Sequence, residues 1–134
     1  MRKFAFLIFL FPAVVLADTP VTLIRVLDGD TIEVSAAVWP SVQITTKLRI
    51  HGIDTPETRT RNLCEKEKGL AAKKYLADYL AGKDLKVENI QNGKYSGRVL
   101  GDLKADGVDI AVMMISSGYA REYFGGKRGA WCIQ

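Results

Sequence analysis

The sequence is poor in the side chains that hold soft metals, with two cysteines and one histidine in 134 residues. Three such ligands cannot complete a structural zinc site, which takes four thiolate or imidazole donors. No repeat, low-complexity stretch or Pro/Gly-rich linker divides the chain, and prolines number only four. Neither sign of charge dominates, with 19 basic against 15 acidic residues. No apolar run reaches the roughly 20 residues that a membrane-spanning helix needs. The longest is Phe4–Leu16, broken by Pro12.

That run follows the charged head Arg2-Lys3 and ends in Val15-Leu16-Ala17, the pattern of a cleaved signal peptide. No cysteine comes directly after it, which argues against a lipid anchor. Residues 1–17 are therefore expected to be a signal peptide, and residues 18–134 a single exported domain, periplasmic or secreted, with no lasting membrane association. Setting aside Arg2 and Lys3 leaves 17 basic against 15 acidic residues, a weak overall attraction for nucleic acid. The distribution of charge then matters more than its sum. In an exported small domain an even cysteine count favours a Cys64–Cys132 disulfide over two buried thiols. A loop of that length contributes roughly 4 kcal/mol in the chain-entropy account.

Residues 21–34, VTLIRVLDGDTIEV, read as two strands around a tight Asp28-Gly29-Asp30 turn. Ala36 to Ser41, with Trp39-Pro40, reads as a loop. From Val42 to Ile50 apolar and polar residues alternate, giving a third strand with Arg49 on its polar face. Asn62 can cap a helix, and Glu65 can return the bond as a capping box. Cys64, Ala71, Ala72, Tyr75, Leu76, Tyr79 and Leu80 form the helix's apolar stripe, ended by Gly82. Leu85–Ile90 is a strand, Gln91-Asn92-Gly93 a turn, Gly97–Lys104 a fifth strand, and Asp109–Ser117 a second helix stopped by Gly118. The expectation is an α+β fold, a five-stranded OB-fold barrel with two or three helices.

The chemistry gathers around LRIHGIDTPE, residues 48–57, where a strand breaks at Gly52 and sets out Asp54, Thr55 and Glu57. With Asp28 and Asp30 these are hard oxygen donors, suited to Ca²⁺ or Mg²⁺. Each has an ordinary alternative: Asp28-Gly29-Asp30 as a plain hairpin turn, Asp54 to Glu57 as a turn into a helix, Arg49 and Arg98 as solvated strand residues. Together they form a phosphodiester site. Two guanidinium forks match phosphate oxygens, a cation polarises the phosphoryl group, and a spare carboxylate handles water.

Val26 to Thr31, Leu48-Arg49 through Glu57, Tyr95-Ser96-Gly97-Arg98, and Ala105-Asp106-Gly107 leading to Gly118-Tyr119-Ala120 resemble the staphylococcal nuclease family in order and spacing. The resemblance covers nearly all of residues 18–134. It implies a Ca²⁺-dependent endonuclease acting on DNA and RNA without strong sequence preference, working as a monomer and leaving 3′-phosphate ends. By the resemblance Asp30 and Asp54 bind calcium, with the Thr55 carbonyl; Asp28 reaches the ion through water; Glu57 is the general base; Arg49 and Arg98 clamp phosphate. Tyr95 and Tyr123 fall near nucleotide-contacting positions. Tyr95 precedes an extra residue before Arg98, and Tyr123 has an equal reading as a packing residue. By the resemblance, the type member's long C-terminal helix is expected to be missing, with the Cys64–Cys132 bridge in its place. The rival reading is a non-catalytic OB-fold nucleic-acid binder, which should have lost site acids or arginines. A small disulfide-stapled structural or inhibitor protein would account for the cysteines but not for the charges.

Overall fold

In the computed structural model, which describes residues 18–95 and 97–133, five long strands close on themselves. They are β1 (Thr19–Asp28), β2 (Thr31–Trp39), β3 (Val42–Ile50), β5 (Leu85–Asn92) and β6 (Arg98–Ala105). The sheet order is β3-β2-β1-β5-β6, and a parallel β3–β6 pairing shuts the barrel. Short β4 (Ile53–Asp54) and β8 (Arg121–Glu122) make a separate two-stranded bridge, while β7 (Val108–Asp109) extends the sheet beyond β6. Among the described residues two helices complete the fold, α1 (Leu63–Leu80) and α2 (Ile110–Ser116). The expected α+β OB-type barrel is the one observed. The proposed signal peptide lies outside the described residues, and no helix among those residues is long and apolar enough to cross a membrane.

Alternation explains the barrel wall. Leu48 and Ile50 point inward and are essentially unexposed, joining Ile32, Val34, Val87 and Leu103 in the core. Leu76 and Leu80 of α1 and Ile110 and Met114 of α2 seal its ends. Truncating one such aliphatic side chain to alanine costs about 2 to 5 kcal/mol. Where two strands and a side chain crowd together the chain uses glycine: a Cβ on Gly101 would stand 2.6 Å from Val87 Cγ1.

Several local expectations are corrected. Ala36 to Ser41 is not a loop, because β2 runs on to Trp39 and β3 restarts at Val42. Short, uncharged residues let the hairpin continue past the barrel, leaving Trp39, Val42 and Ile44 exposed although they alternate as core residues do. Gln91-Asn92 is strand rather than turn. Ala71 of the α1 stripe faces outward, and Gly69 takes the buried position instead. The capping box is half made. Asn62 Oδ1 accepts from Glu65 N at 3.1 Å, but the Glu65 carboxylate accepts from Glu57 N at 3.3 Å rather than returning to Asn62. That departure is useful, because it ties the first turn of α1 to the acidic turn.

Candidate active site

Two glycines let the acidic segments meet. Gly29, between Asp28 and Asp30, does not adopt the left-handed backbone of a tight Asp-Gly hairpin. Its role is close approach: a Cβ there would stand 2.8 Å from Ala72 Cβ and 3.1 Å from Thr55 Cβ. Gly69 lets α1 touch the backbone of the other turn, where a Cβ would lie 2.6 Å from the Glu57 carbonyl oxygen and 2.7 Å from that of Pro56. Both turns are thereby pressed against one side of α1. Thr55 N donates to Asp30 Oδ2 at 3.2 Å, and Ile50 N to the Asp30 carbonyl at 2.8 Å, so the hairpin tip and the strand end are joined directly.

Asp30 and Asp54 are buried, Asp54 completely. Arg49 spans them, with Nη1 2.9 Å from Asp30 Oδ2 and Nη2 3.9 Å from Asp54 Oδ1. Its side chain is only 17% exposed, so Arg49 is folded under the site rather than solvated, while Lys47 on the same face stays exposed. Asp28 accepts a hydrogen bond from the Thr58 hydroxyl and stands outside this pair. Glu57 lies at the rim, with its carboxyl raised above the usual carboxylate range chiefly by burial, against an opposing pull from Arg128.

Two further arginines complete the cluster, and neither was expected. Residues Asp54 and Arg121 are partners across the β4–β8 bridge. Arg121 donates to Asp54 Oδ2 through Nη2 at 2.8 Å and Nε at 3.2 Å. Its guanidinium lies 4.1 Å from the centre of the Trp131 ring and also donates to the carbonyl of Gly129 at 2.6 Å. Arg128 Nη1 reaches Asp54 Oδ1 at 2.9 Å and Glu57 Oε1 at 2.7 Å. Both lie in the segment after α2, whose Gly-rich stretch offered no periodicity to read. The modest signal available was a cluster of cations, Lys127 and Arg128, just before Trp131 and Cys132. The Cys64–Cys132 disulfide is present, and it anchors this tail to the first turn of α1.

Arg98 stands apart. It pairs in register with Lys47, while Arg49 pairs with Leu100, and the inward partners Leu48 and Val99 fall between them. Arg98 and Arg49 thus share the outer face of the barrel, but Arg98 makes no ion pair among the described residues. It borders a surface cavity with Thr46, Lys94 and Tyr95, and Tyr95 is well exposed. Tyr123 borders a second cavity of about 270 Å³ together with Arg49, His51, Lys94 and Phe124. Its hydroxyl donates to the Gly126 carbonyl at 2.8 Å, and the residue is half-buried.

The donor set fits a hard cation. Four carboxylates, Asp28, Asp30, Asp54 and Glu57, face three guanidinium groups, leaving one negative charge in excess. The Thr55 hydroxyl is buried without a hydrogen-bond partner, an unmet polar atom on the residue that follows Asp54 and whose backbone N–H donates to Asp30. Among the described residues no group of three acid, histidine or cysteine side chains converges on one point. A cation at Asp30 and Asp54 would therefore complete its shell with backbone carbonyl and water, as oxygen-ligated Ca²⁺ and Mg²⁺ ions do.

A closed OB barrel carrying buried aspartates beneath arginines, with a carboxylate at the rim, defines a hydrolase of the nuclease class. The chain belongs to the staphylococcal nuclease family: the family model described as "Staphylococcal nuclease homologue" matches residues 47–130. Two relatives, from Escherichia coli and Escherichia coli O157:H7, are each named "Uncharacterized endonuclease". Both are 34% identical over 126 residues, covering 92% of this chain and 74% of the relative. The rival reading as a degenerate binder expects lost acids or arginines, and the sequence keeps all of them, although Arg98 makes no ion pair with the acids among the described residues.

Proposed function

We propose that the protein is an exported, Ca²⁺-dependent endonuclease that hydrolyses DNA and RNA and leaves 3′-phosphate ends. The observation that carries this reading is Arg49 bridging Asp30 and Asp54, which unites cation ligands and a phosphate-binding group in one place. A calcium ion on Asp30, Asp54 and the Thr55 carbonyl would supply positive charge at the phosphoryl oxygen. Asp28, held by Thr58, takes the outer position, where it acts through water.

Arg49 and Arg98, on the same face of the barrel, bind the phosphodiester from two directions and stabilise the charge that builds on its oxygens. Glu57 orients the attacking water and accepts its proton. Displacement in line joins the water oxygen to phosphorus and breaks the bond to the 5′ oxygen, which takes a proton from solvent and leaves as the 5′ hydroxyl. Tyr123, beside the cavity next to Arg49, offers a stacking face that tolerates any base, worth about 1 to 3 kcal/mol. Tyr95, in the cavity with Arg98, contacts the neighbouring nucleotide. All the assigned residues come from one chain, in keeping with a protein that acts as a monomer.

The test is a screen of divalent ions on purified residues 18–134 with single- and double-stranded DNA and RNA, followed by end analysis of the products. Cleavage that rises with Ca²⁺, is stopped by a chelator and leaves 3′ phosphates supports the reading. Nucleic acid bound but left intact at every Ca²⁺ concentration would favour the non-catalytic binder.

A further inference from the structure

Arg128 occupies a position that the proposed chemistry needs for something else. One of its nitrogens touches both Asp54 Oδ1 and Glu57 Oε1, at 2.9 and 2.7 Å. Asp54 is a proposed cation ligand and Glu57 the proposed base. While Arg128 sits between them, Asp54 Oδ1 and Glu57 Oε1 are both engaged by one guanidinium nitrogen. The side chain is 45% exposed, so little packing holds it there. Its neighbours behave otherwise. Arg121 is clamped by Asp54, Gly129 and the Trp131 ring, and Trp131 O accepts from Lys68 of α1 at 3.2 Å. The disulfide at Cys132 fixes the end of the segment. Gly125 and Gly126, both with positive φ, precede Arg128, and Gly129 follows it. A pinned strap thus presents one loosely held arginine over the centre of the site.

We propose that Arg128 is an internal counter-cation that competes with the divalent ion for Asp54 and Glu57 and, once displaced, becomes a third phosphate-contacting arginine. The inference rests on the proposed nuclease reading and adds a substrate residue to it. Charge favours the exchange, and of the three arginines near Asp54 it is Arg128, the most exposed, that is free to leave. With Arg128 in place the site carries one excess negative charge, and a divalent ion entering beside a fixed guanidinium would meet direct repulsion at Asp54 Oδ1. A six-bond side chain on a pinned backbone can leave the carboxylates without moving the strap. Arg49 and Arg128 approach the same Asp54 oxygen, so a displaced Arg128 guanidinium stays next to the proposed phosphate clamp, and a phosphate is the ligand its fork matches best.

The experiment is calcium calorimetry on the oxidised protein without nucleic acid, comparing the unaltered chain with Arg128→Ala and Arg128→Lys. Removing the competitor should tighten calcium binding about tenfold in the alanine variant, the equivalent of one close charge interaction. The lysine variant, which keeps the charge, should bind calcium nearly as the unaltered chain does. At saturating Ca²⁺, Arg128→Ala should raise KM for single-stranded DNA several-fold while kcat changes less. Opposite signs on the two ligands are the signature. An unchanged or weakened calcium affinity in Arg128→Ala overturns the proposal, as does a lysine variant that binds as tightly as the alanine variant. A chain that binds calcium with this pattern yet cleaves nothing would overturn the nuclease reading and with it the phosphate role, leaving the cation competition standing. A chain that cleaves, with both affinities indifferent to residue 128, would overturn the inference alone.

Discussion

Asp54 and Arg121 face each other across a two-residue bridge, and the guanidinium of one holds a single oxygen of the other at 2.8 and 3.2 Å. Asp54 has no exposed side-chain surface, so its charge depends on these contacts. Truncating one partner of a buried charge pair costs about 3 to 5 kcal/mol, because the other charge is left uncompensated. Arg121→Ala should lose stability on that scale in urea unfolding without divalent ions, and millimolar Ca²⁺ should recover part of it. A loss below about 1 kcal/mol, the range of an exposed pair, would show that Asp54 does not rely on Arg121.

The disulfide closes a loop spanning 68 positions, and its removal should cost roughly 4 kcal/mol in the chain-entropy account. For a domain of this size that corresponds to a fall in Tm of roughly 15 °C or more. Thermal unfolding with and without dithiothreitol, and of Cys132→Ser, measures it. An unchanged Tm would mean that the tail is held by Arg121 and Trp131 alone.

Gly69 separates packing from chemistry. A methyl group there would press on the Glu57 and Pro56 carbonyls, and overpacking of this kind costs about 1 to 3 kcal/mol. Gly69→Ala should therefore lower stability and, by shifting the turn, lower kcat as well. Wild-type stability and kcat in this variant would show that α1 is not what positions Glu57.

Arg49 and Arg98 should behave differently from one another. Both substitutions to alanine should lower kcat/KM by about 10² to 10³, the usual effect of losing one donor to a transition-state oxygen. Of these two, only Arg49 is paired with the aspartates among the described residues, so Arg49→Ala should also shift Tm while Arg98→Ala leaves it nearly unchanged. Full activity in Arg98→Ala would remove Arg98 from the site.

What could be read in advance divides by distance along the chain. The barrel, the two aspartate-bearing bends and the Asn62 cap were legible because alternation, turn residues and capping act over a few positions. Strand ends were less so. Nothing in Ala36 to Ser41 distinguishes a loop from a hairpin that outruns its barrel, since uncharged short residues suit both. The purpose of Gly29 was read as turn geometry, whereas its absent side chain makes room for Thr55 and Ala72. Least legible were Arg121 and Arg128, which reach Asp54 across 67 and 74 positions. No local pattern marks such a contact; only the β4–β8 pairing and the disulfide deliver it.

Calcium stoichiometry tests the account at its centre. Calorimetry of the unaltered chain, Asp30→Asn and Asp54→Asn should show one ion per chain in the first, and binding weakened at least tenfold in each variant, with DNA hydrolysis lost in parallel. Calcium binding in either asparagine variant indistinguishable from the unaltered chain would contradict the claim that the two bends share one ion.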